Sequence, residues 1–191
     1  YRMEHLEDGP EGEYLTDRLT DEALNLIRNR GDKPFFLHVS HYAVHIPIQA
    51  PEALVEKYRR KARRLQLDRL DPFVQGEFYP ASHKRDQRVI RRQFQSDPEY
   101  AAMIENLDAN IGRVLDGLEE EGLAEDTLVF FTSDNGGAST SEGSPTCNHP
   151  FSEGKGWNYE GGTRVCQIAR WPGVVRPGAV CRENVTSTDF Y

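Results

Sequence analysis

The amino-acid sequence predicts an α/β fold with a mixed, mostly parallel sheet that is flanked by helices. Two short runs of apolar, aromatic and β-branched residues, at positions 35–39 and 128–132, have the composition of buried strands. A stretch in which apolar residues recur with the spacing of a helix precedes each run. Because crossover helices connect parallel strands, this alternation favours parallel pairing of the two strands.

The first helix is expected to begin near Thr16 and Asp17 and to end at Gly31, where a glycine can terminate a helix. Its apolar residues are spaced three to four apart and comprise Leu19, Ala23, Leu24 and Ile27. A turn at residues 32–34 leads into the first predicted strand. The prolines of the following loop, residues 41–51, prevent further regular pairing there.

Residues 51–98 are predicted to be an irregular insertion that lies over a cleft. The part from Pro51 to about Leu65 has a basic, helical pattern. Residues 66–95 show no clear period and are expected to be irregular, with short helical turns. Connections of this length are uncommon unless they have a function, which is why we expect the segment to cover a cleft.

The strongest helix signal begins at Ser96–Glu99, which offers a side-chain cap, a proline suited to the first turn and a glutamate that can reach back. Gly122 ends this helix. A second strand, Leu128–Thr132, follows, and a third is predicted from Val165 to Ala169. The apolar stripe predicted for the helix comprises Tyr100, Met103, Ile104, Leu107, Ile111, Val114, Leu115 and Leu118.

Composition excludes several classes of protein. The formal net charge of -8 argues against nucleic acid as a partner, because phosphate contacts need a basic face. The basic segment Lys57–Arg64 could touch a polyanion, although a solvated helix face is the ordinary interpretation. No run of about 18 apolar residues is present, so no membrane span is expected. The three cysteines, which leave one disulfide open, have no zinc-type spacing; they are Cys147, Cys166 and Cys181.

Polar residues follow both predicted strands at the sheet edge where ligands bind in open α/β sheets. His41 and His45 follow the first strand, and Asp134-Asn135 follows the second. A carboxylate and an amide oxygen are hard ligands that suit Ca²⁺ or Mg²⁺, and the adjoining glycines permit a sharp turn. The alternative is a simple turn, because Asn-Gly is among the commonest turn dipeptides.

Lys155 lies between two glycines in the segment GKGWNYEGG. An ammonium group in that setting can approach an anion with little steric hindrance. The spacing of a phosphate-binding P-loop is absent, so this lysine does not belong to that motif. The alternative is a lysine that is only solvated.

Four segments in order carry a family resemblance. They are PFFLHVSHYAVHIPIQAP, LVFFTSDNGG, GKGWNYEGGTRV and IARWPGVVRPG, and the similarity runs from about Asp17 to Tyr191. The sequence resembles the type I, arylsulfatase-like sulfatases of the alkaline phosphatase superfamily. The resemblance implies an alkaline-phosphatase/sulfatase-like fold, with residues 1–191 forming the C-terminal half of a catalytic domain.

The resemblance also implies hydrolysis of sulfate monoesters at a divalent cation, Ca²⁺ or alternatively Mg²⁺. Asp134 and Asn135 would then be metal ligands. His45 would contact the sulfate ester and could protonate the leaving oxygen, and Lys155 would bind the sulfate oxygens. His41 is a further candidate for the substrate pocket. The expected substrate is a sulfated small molecule or glycan, and the expected compartment is the periplasm, the extracellular space or the lysosome. The oligomeric state is left open.

The family pattern is incomplete in this sequence. The family nucleophile is a formylglycine made from the cysteine of a C-x-[PA]-S-R motif, and none of the three cysteines lies in such a motif. The paired aspartates that the family contributes from an early strand also have no match. An internal fragment that is inactive by itself is therefore expected. Ser152-Glu153 replaces a common Arg-Gly, which removes a positive charge before Lys155.

Two alternatives follow from the same residues. A phosphatase, phosphodiesterase or phosphonate hydrolase of the superfamily would share the aspartate metal motif. A non-catalytic module that binds an ion or an anionic glycan would keep the fold, but it need not keep all four of His45, Asp134, Asn135 and Lys155.

Overall fold

The computed structural model describes Glu7 and residues 9–190. Within these residues, the helices and strands in chain order are α1 (Leu15–Arg28), α2 (Glu52–Arg64), β1 (Phe73–Phe78), β2 (Arg88–Arg92), α3 (Pro98–Glu120), β3 (Val129–Thr132), α4 (Glu160–Thr163) and β4 (Gln167–Arg170). Short 3₁₀ helices lie at Leu67–Arg69, Ser82–Lys84 and Ser187–Phe190. The mixture of helices and small sheets confirms the predicted α/β class.

The long helix α3 organises the helical layer, because both α1 and α2 pack against it. The three helices are amphipathic, so their apolar sides exclude water where they meet. The buried apolar residues of this layer are Ala23, Leu24, Ile27, Val55, Ala62, Ala102, Met103 and Leu118. Helices α1 and α3 thus confirm the helices that apolar spacing predicts, and α2 confirms the basic helix predicted from Pro51 to about Leu65.

The buried side of α3 is partly polar, which corrects its predicted apolar stripe. Asn106 and Asn110 are buried, whereas Ile104 is 47% exposed. Both asparagines donate a side-chain hydrogen bond to the Asp17 carboxylate of α1, at 2.9 and 2.6 Å. Buried amides are tolerated where each finds a partner. These hydrogen bonds between α1 and α3 therefore decide which side of α3 faces inward.

The ends of α3 agree with the sequence prediction. The Asp97 carboxylate accepts hydrogen bonds from the backbone N–H groups of Glu99 and Tyr100, each at 3.0 Å. Such a cap satisfies N–H groups that have no partner within the helix. Gly122 has a φ of 67°, in the left-handed region that glycine adopts readily after a helix.

Residues 66–95 are more regular than predicted. The segment contains two of the short 3₁₀ helices, as expected, but it also contains an antiparallel hairpin in which β1 pairs with β2. Of the hairpin residues Val89 is fully buried, while most of both strands is exposed. A strand pair that buries so few apolar side chains produces no period-two pattern, so nothing in this segment predicts the hairpin.

The second sheet contains β3 and β4, which are antiparallel. The third predicted strand is confirmed with shifted bounds, since it begins at Gln167. The predicted strand at 35–39 is wrong: residues 34–42 have no regular structure, and Phe36 is 85% exposed. A strand requires hydrogen bonds to a neighbouring strand. No strand in the described residues pairs with this segment, so the expected parallel pairing is not present there.

Acidic residues compensate the basic segment of α2. Lys57 pairs with Glu105 of α3 at 2.6 Å, and Arg63 pairs with Glu56 at 2.8 Å. This supports the interpretation of a solvated helix face over that of a polyanion site. All three cysteines lie in the described part of the chain and are free, so the possible disulfide is not formed. Among the described residues, no helix has the length and apolar character needed to cross a membrane.

Candidate active site

The structure brings His45 and Lys155 into direct contact, although they are 110 residues apart in the sequence. The Lys155 Nζ atom lies 2.6 Å from the Nε2 atom of His45. His45 is held in its loop by a hydrogen bond from its backbone N–H to the carbonyl of Tyr42, at 2.8 Å. The lysine loop turns tightly, since the Trp157 N–H donates to the Gly154 carbonyl at 3.0 Å. Two separate loops thus meet at these two side chains.

The hydrogen-bond partners of the His45 ring indicate which of its two nitrogens carries the proton. The Nδ1 atom lies 3.0 Å from the carbonyl oxygen of Ile46, which can only accept a hydrogen bond. We therefore assign the ring proton to Nδ1, which leaves the lone pair of Nε2 to accept from the Lys155 ammonium. In this arrangement the imidazole is neutral and the lysine carries the positive charge.

Glu142 is a third member of this cluster that the sequence did not identify. One carboxylate oxygen accepts a hydrogen bond from Lys155 Nζ at 2.8 Å, and the other lies 3.8 Å from His45 Nε2. The side chains of Glu142 and Lys155 are only about a quarter exposed. Nothing in the surrounding segment STSEGSPT marks this glutamate, because its partners come from distant parts of the chain.

Asp134 and Asn135 follow β3, as predicted, and form a tight turn. The Asp134 carboxylate accepts the backbone N–H of Asn135 at 2.9 Å. The side-chain N–H of Asn135 donates to the carbonyl of Gly136 at 3.1 Å, so the amide oxygen is the atom that can face a cation. An exposed carboxylate and an amide oxygen suit Ca²⁺ or Mg²⁺. Among the residues that the structure describes, no group of three or more His, Cys, Asp or Glu that could hold a metal ion is present.

Glycines tie the Asp134-Asn135 turn to the lysine loop. The backbone N–H of Lys155 donates to the Gly137 carbonyl at 3.1 Å, and that of Gly136 donates to the Gly162 carbonyl at 2.9 Å. A Cβ atom on Gly136 would lie 1.7 Å from the Gly161 carbonyl oxygen. Only a residue without a side chain permits this backbone approach. The close packing of these glycines therefore sets the distance between the Asp134-Asn135 turn and Lys155.

Glu153, the departure from the family pattern, points away from the cluster. Its side chain is 8% exposed, and its two carboxylate oxygens accept from Nε of Arg91 in β2 at 3.0 and 3.1 Å. These hydrogen bonds, followed by one to Glu77, raise the pKa of Arg91 above its ordinary value. The charge that Glu153 adds is therefore neutralised, and the ion pair fastens the hairpin to the lysine loop.

Aromatic residues form a second link between the hairpin and this loop. The hydroxyl of Tyr79, just after β1, donates to the Thr140 carbonyl at 2.7 Å. The rings of Tyr79 and Trp157 stack with centroids 6.0 Å apart, and the indole N–H of Trp157 donates to the Thr140 hydroxyl at 2.9 Å. The hairpin of the predicted insertion thus adjoins the Lys155 loop.

His41 does not join the cluster through any hydrogen bond within the described residues. Its Nδ1 atom is buried and has no hydrogen-bond partner there. Burial lowers the pKa of His41, because a charged imidazolium is poorly solvated in that position. The structure therefore places His45 against Lys155 and joins the lysine loop to the segment after Asp134-Asn135 by a backbone hydrogen bond, whereas His41 makes no hydrogen bond to these groups in the described part of the chain.

Comparison with known proteins points to one family. Residues 2–191 match the family model described as Sulfatase. The chain is 37% identical over 189 residues to a sulfatase of Formosa agariphila, covering 93% of this chain and 29% of that protein. It is 33% identical to the steryl-sulfatase of Mus musculus, covering 93% of this chain and 23% of that protein. The chain therefore spans less than a third of the length of these relatives.

A solved structure agrees with the sequence matches. The crystal structure of Ps i-CgsB in complex with k-i-k-neocarrahexaose superposes with a TM-score of 0.61 and 26% sequence identity. The match covers 88% of this chain and 30% of that chain. The order of helices and strands described above is thus similar to part of a larger α/β protein.

Proposed function

The chain belongs to the sulfatase family, and on that premise we propose that it forms part of the catalytic domain of a sulfuric ester hydrolase. In this proposal His45 and Lys155 bind and activate the sulfate group, and Asp134 and Asn135 are metal ligands. Residues 51–98 form an insertion over the cleft.

One observation carries the proposal: two loops 110 residues apart place the Lys155 ammonium 2.6 Å from the His45 ring. A sulfuryl group in transfer carries negative charge on its peripheral oxygens. Fixed cationic and polar groups stabilise that charge, and they do so more strongly where water is partly excluded. Lys155 can stabilise it by charge, while the half-exposed His45 can take up a proton from solvent at Nε2 and deliver it to the leaving oxygen.

The oxygen donors of Asp134 and Asn135 would hold Ca²⁺, with Mg²⁺ as the alternative. When bound, such a cation neutralises charge on the sulfate oxygens. The residues of this chain have separate tasks: the glycine contacts fix the turn beside the lysine loop, and the Asn135 side-chain nitrogen donates to the Gly136 carbonyl, which leaves the amide oxygen as the atom for the cation. The nucleophile of the whole protein is expected to be a formylglycine.

The proposed substrate is a sulfated small molecule or glycan. Support for a glycan comes from the similar structure of Ps i-CgsB, which was solved with a neocarrahexaose. His41 remains a proposed pocket residue, since its Nδ1 atom is buried and has no hydrogen-bond partner among the described residues. Export to the periplasm, the extracellular space or the lysosome is part of the same proposal. The family match favours neither a phosphatase nor a non-catalytic module.

The test uses the full-length protein that carries this chain, assayed with 4-nitrophenyl sulfate and a sulfated oligosaccharide. We expect His45→Ala and Lys155→Ala each to lower kcat/KM by about 100-fold or more, the usual effect of removing a group that stabilises transition-state charge. His38→Ala and Lys57→Ala are matched controls, because His38 contacts Ser40 and Lys57 pairs with Glu105 outside the cluster. Full activity in both cluster variants, or no sulfatase activity in the parent protein, would refute the proposal.

A further inference from the structure

We propose that Glu142 is a specificity-determining residue, which makes the anion site of Lys155 and His45 select singly charged sulfate esters over doubly charged phosphate esters. The inference rests on the proposed function, since it concerns the same site, and it adds the charge of the preferred substrate. It follows from where the Glu142 carboxylate lies.

The carboxylate of Glu142 occupies the position in which a substrate anion would meet the cluster. Its oxygens approach Lys155 Nζ at 2.8 Å and His45 Nε2 at 3.8 Å. A sulfate group likewise presents oxygens that share one central atom, so it would use the same two partners. A substrate must therefore displace Glu142 from Lys155, and the displaced carboxylate stays close to the bound anion.

The loop that carries Glu142 has a defined backbone conformation that hydrogen bonds hold in position. Glu142 and Ser144 adopt φ values of 55° and 49°, a left-handed conformation that costs side-chain-bearing residues free energy. Two backbone anchors hold it: the Ser144 N–H donates to the Ser141 carbonyl at 2.8 Å, and the buried Arg92 donates through Nε to the Ser144 carbonyl at 2.5 Å. This anchored loop places a carboxylate oxygen of Glu142 2.8 Å from Lys155 Nζ.

Charge balance gives the direction of the selectivity. Within the three-residue cluster, apart from Asp134 and the cation proposed there, Lys155 contributes one positive charge, Glu142 one negative charge, and His45 none in the assigned form. The nearby Arg91 and Glu153 neutralise each other. A sulfate monoester carries one negative charge, whereas a phosphate monoester above its second pKa, near 6, carries two. Repulsion by Glu142 is proportional to the ligand charge, so the phosphate is disfavoured twice as strongly in free energy.

The experiment measures anion binding to the full-length protein by calorimetry at a pH of about 8. Benzenesulfonate serves as the monoanion and phenyl phosphate as the dianion. For Glu142→Gln we expect benzenesulfonate to bind about fivefold more tightly, the effect of one partly exposed ion pair. Phenyl phosphate should then bind about 25-fold more tightly, because its charge is doubled. The preference for the monoanion should fall about fivefold.

Two further variants make the result decisive. Glu142→Asn also removes the charge and suits a left-handed position, so it should shift the preference in the same direction even if the glutamine variant folds poorly. Glu160→Gln removes an equal charge at an exposed pair with Arg164 and should change neither affinity by more than about twofold. An unchanged preference in both Glu142 variants, weaker anion binding in both, or no anion binding in any variant would overturn the inference.

The outcome is separable from that of the proposed function. If sulfatase turnover depends on His45 and Lys155 but the anion preference ignores Glu142, the inference fails while the proposed function holds. If turnover does not depend on the two cluster residues, the proposed function fails, whatever the Glu142 variants show.

Discussion

The glycine contacts beside the candidate site predict opposite effects for the same substitution at two positions. Gly136→Ala places a methyl group 1.7 Å from the Gly161 carbonyl oxygen, half of the 3.4 Å at which ordinary contact begins. The obstructing atoms belong to the backbone, so no side chain can move aside. Gly112, within α3, has no heavy atom within 4 Å of an added Cβ.

The expected size of each effect follows from those contacts. For Gly136→Ala, steric overlap in a packed site costs about 1–3 kcal/mol. Separation of the two loops also breaks the hydrogen bond from the Gly136 N–H to the Gly162 carbonyl, which adds about 1 kcal/mol. We therefore expect a loss of about 2–4 kcal/mol of folding stability. Gly112→Ala should instead add about 0.5–1 kcal/mol, because alanine favours the helix.

Urea unfolding of the two variants and of the unsubstituted chain, followed by circular dichroism, measures both effects. The denaturant slope should stay constant, which would show that only stability has changed. A Gly136→Ala variant whose stability stays within about 0.5 kcal/mol of the unsubstituted chain, or two substitutions that change stability in the same direction, would refute the backbone contact at Gly136. A tolerated alanine at 136 would mean that the Asp134-Asn135 turn and the lysine loop are not in backbone contact.

Two other predictions concern charge. Arg91→Ala leaves the mostly buried Glu153 carboxylate without its partner and should lower the free energy of unfolding by about 2–3 kcal/mol in the same assay. Arg164→Ala, the control at an exposed ion pair, should lower it by less than about 0.5 kcal/mol. Equal losses in the two variants would contradict the burial of Glu153. Burial lowers the pKa of His41, so the unfolded chain binds its proton more readily and stability falls as the pH drops below about 6.5. His41→Gln should reduce this loss between about pH 7 and pH 5, and an unaltered pH slope would argue against a buried imidazole.

The sequence was sufficient to predict a structural feature where the residues that determine the feature lie close to it in the chain. The Asp97 cap, the left-handed Gly122 and the spacing of apolar residues in α1 lie within a few positions of the features they explain, and all three are confirmed. The prediction of which α3 residues face the interior was wrong, because Asn106 and Asn110 are buried by their hydrogen bonds to Asp17, about 90 residues earlier in the chain.

The sequence by itself determined helices α1, α2 and α3, two of the strands and the identity of the residues that resemble a sulfatase site. Tertiary structure alone decided which groups surround them. The strand predicted at 35–39 finds no paired neighbour among the described residues, and the hairpin at 73–92 buries too little to leave a pattern. Glu142 became visible only through the loop that turns it towards Lys155. The physical reason is range: propensity and capping act over one or two turns, whereas a site depends on loops that packing brings together.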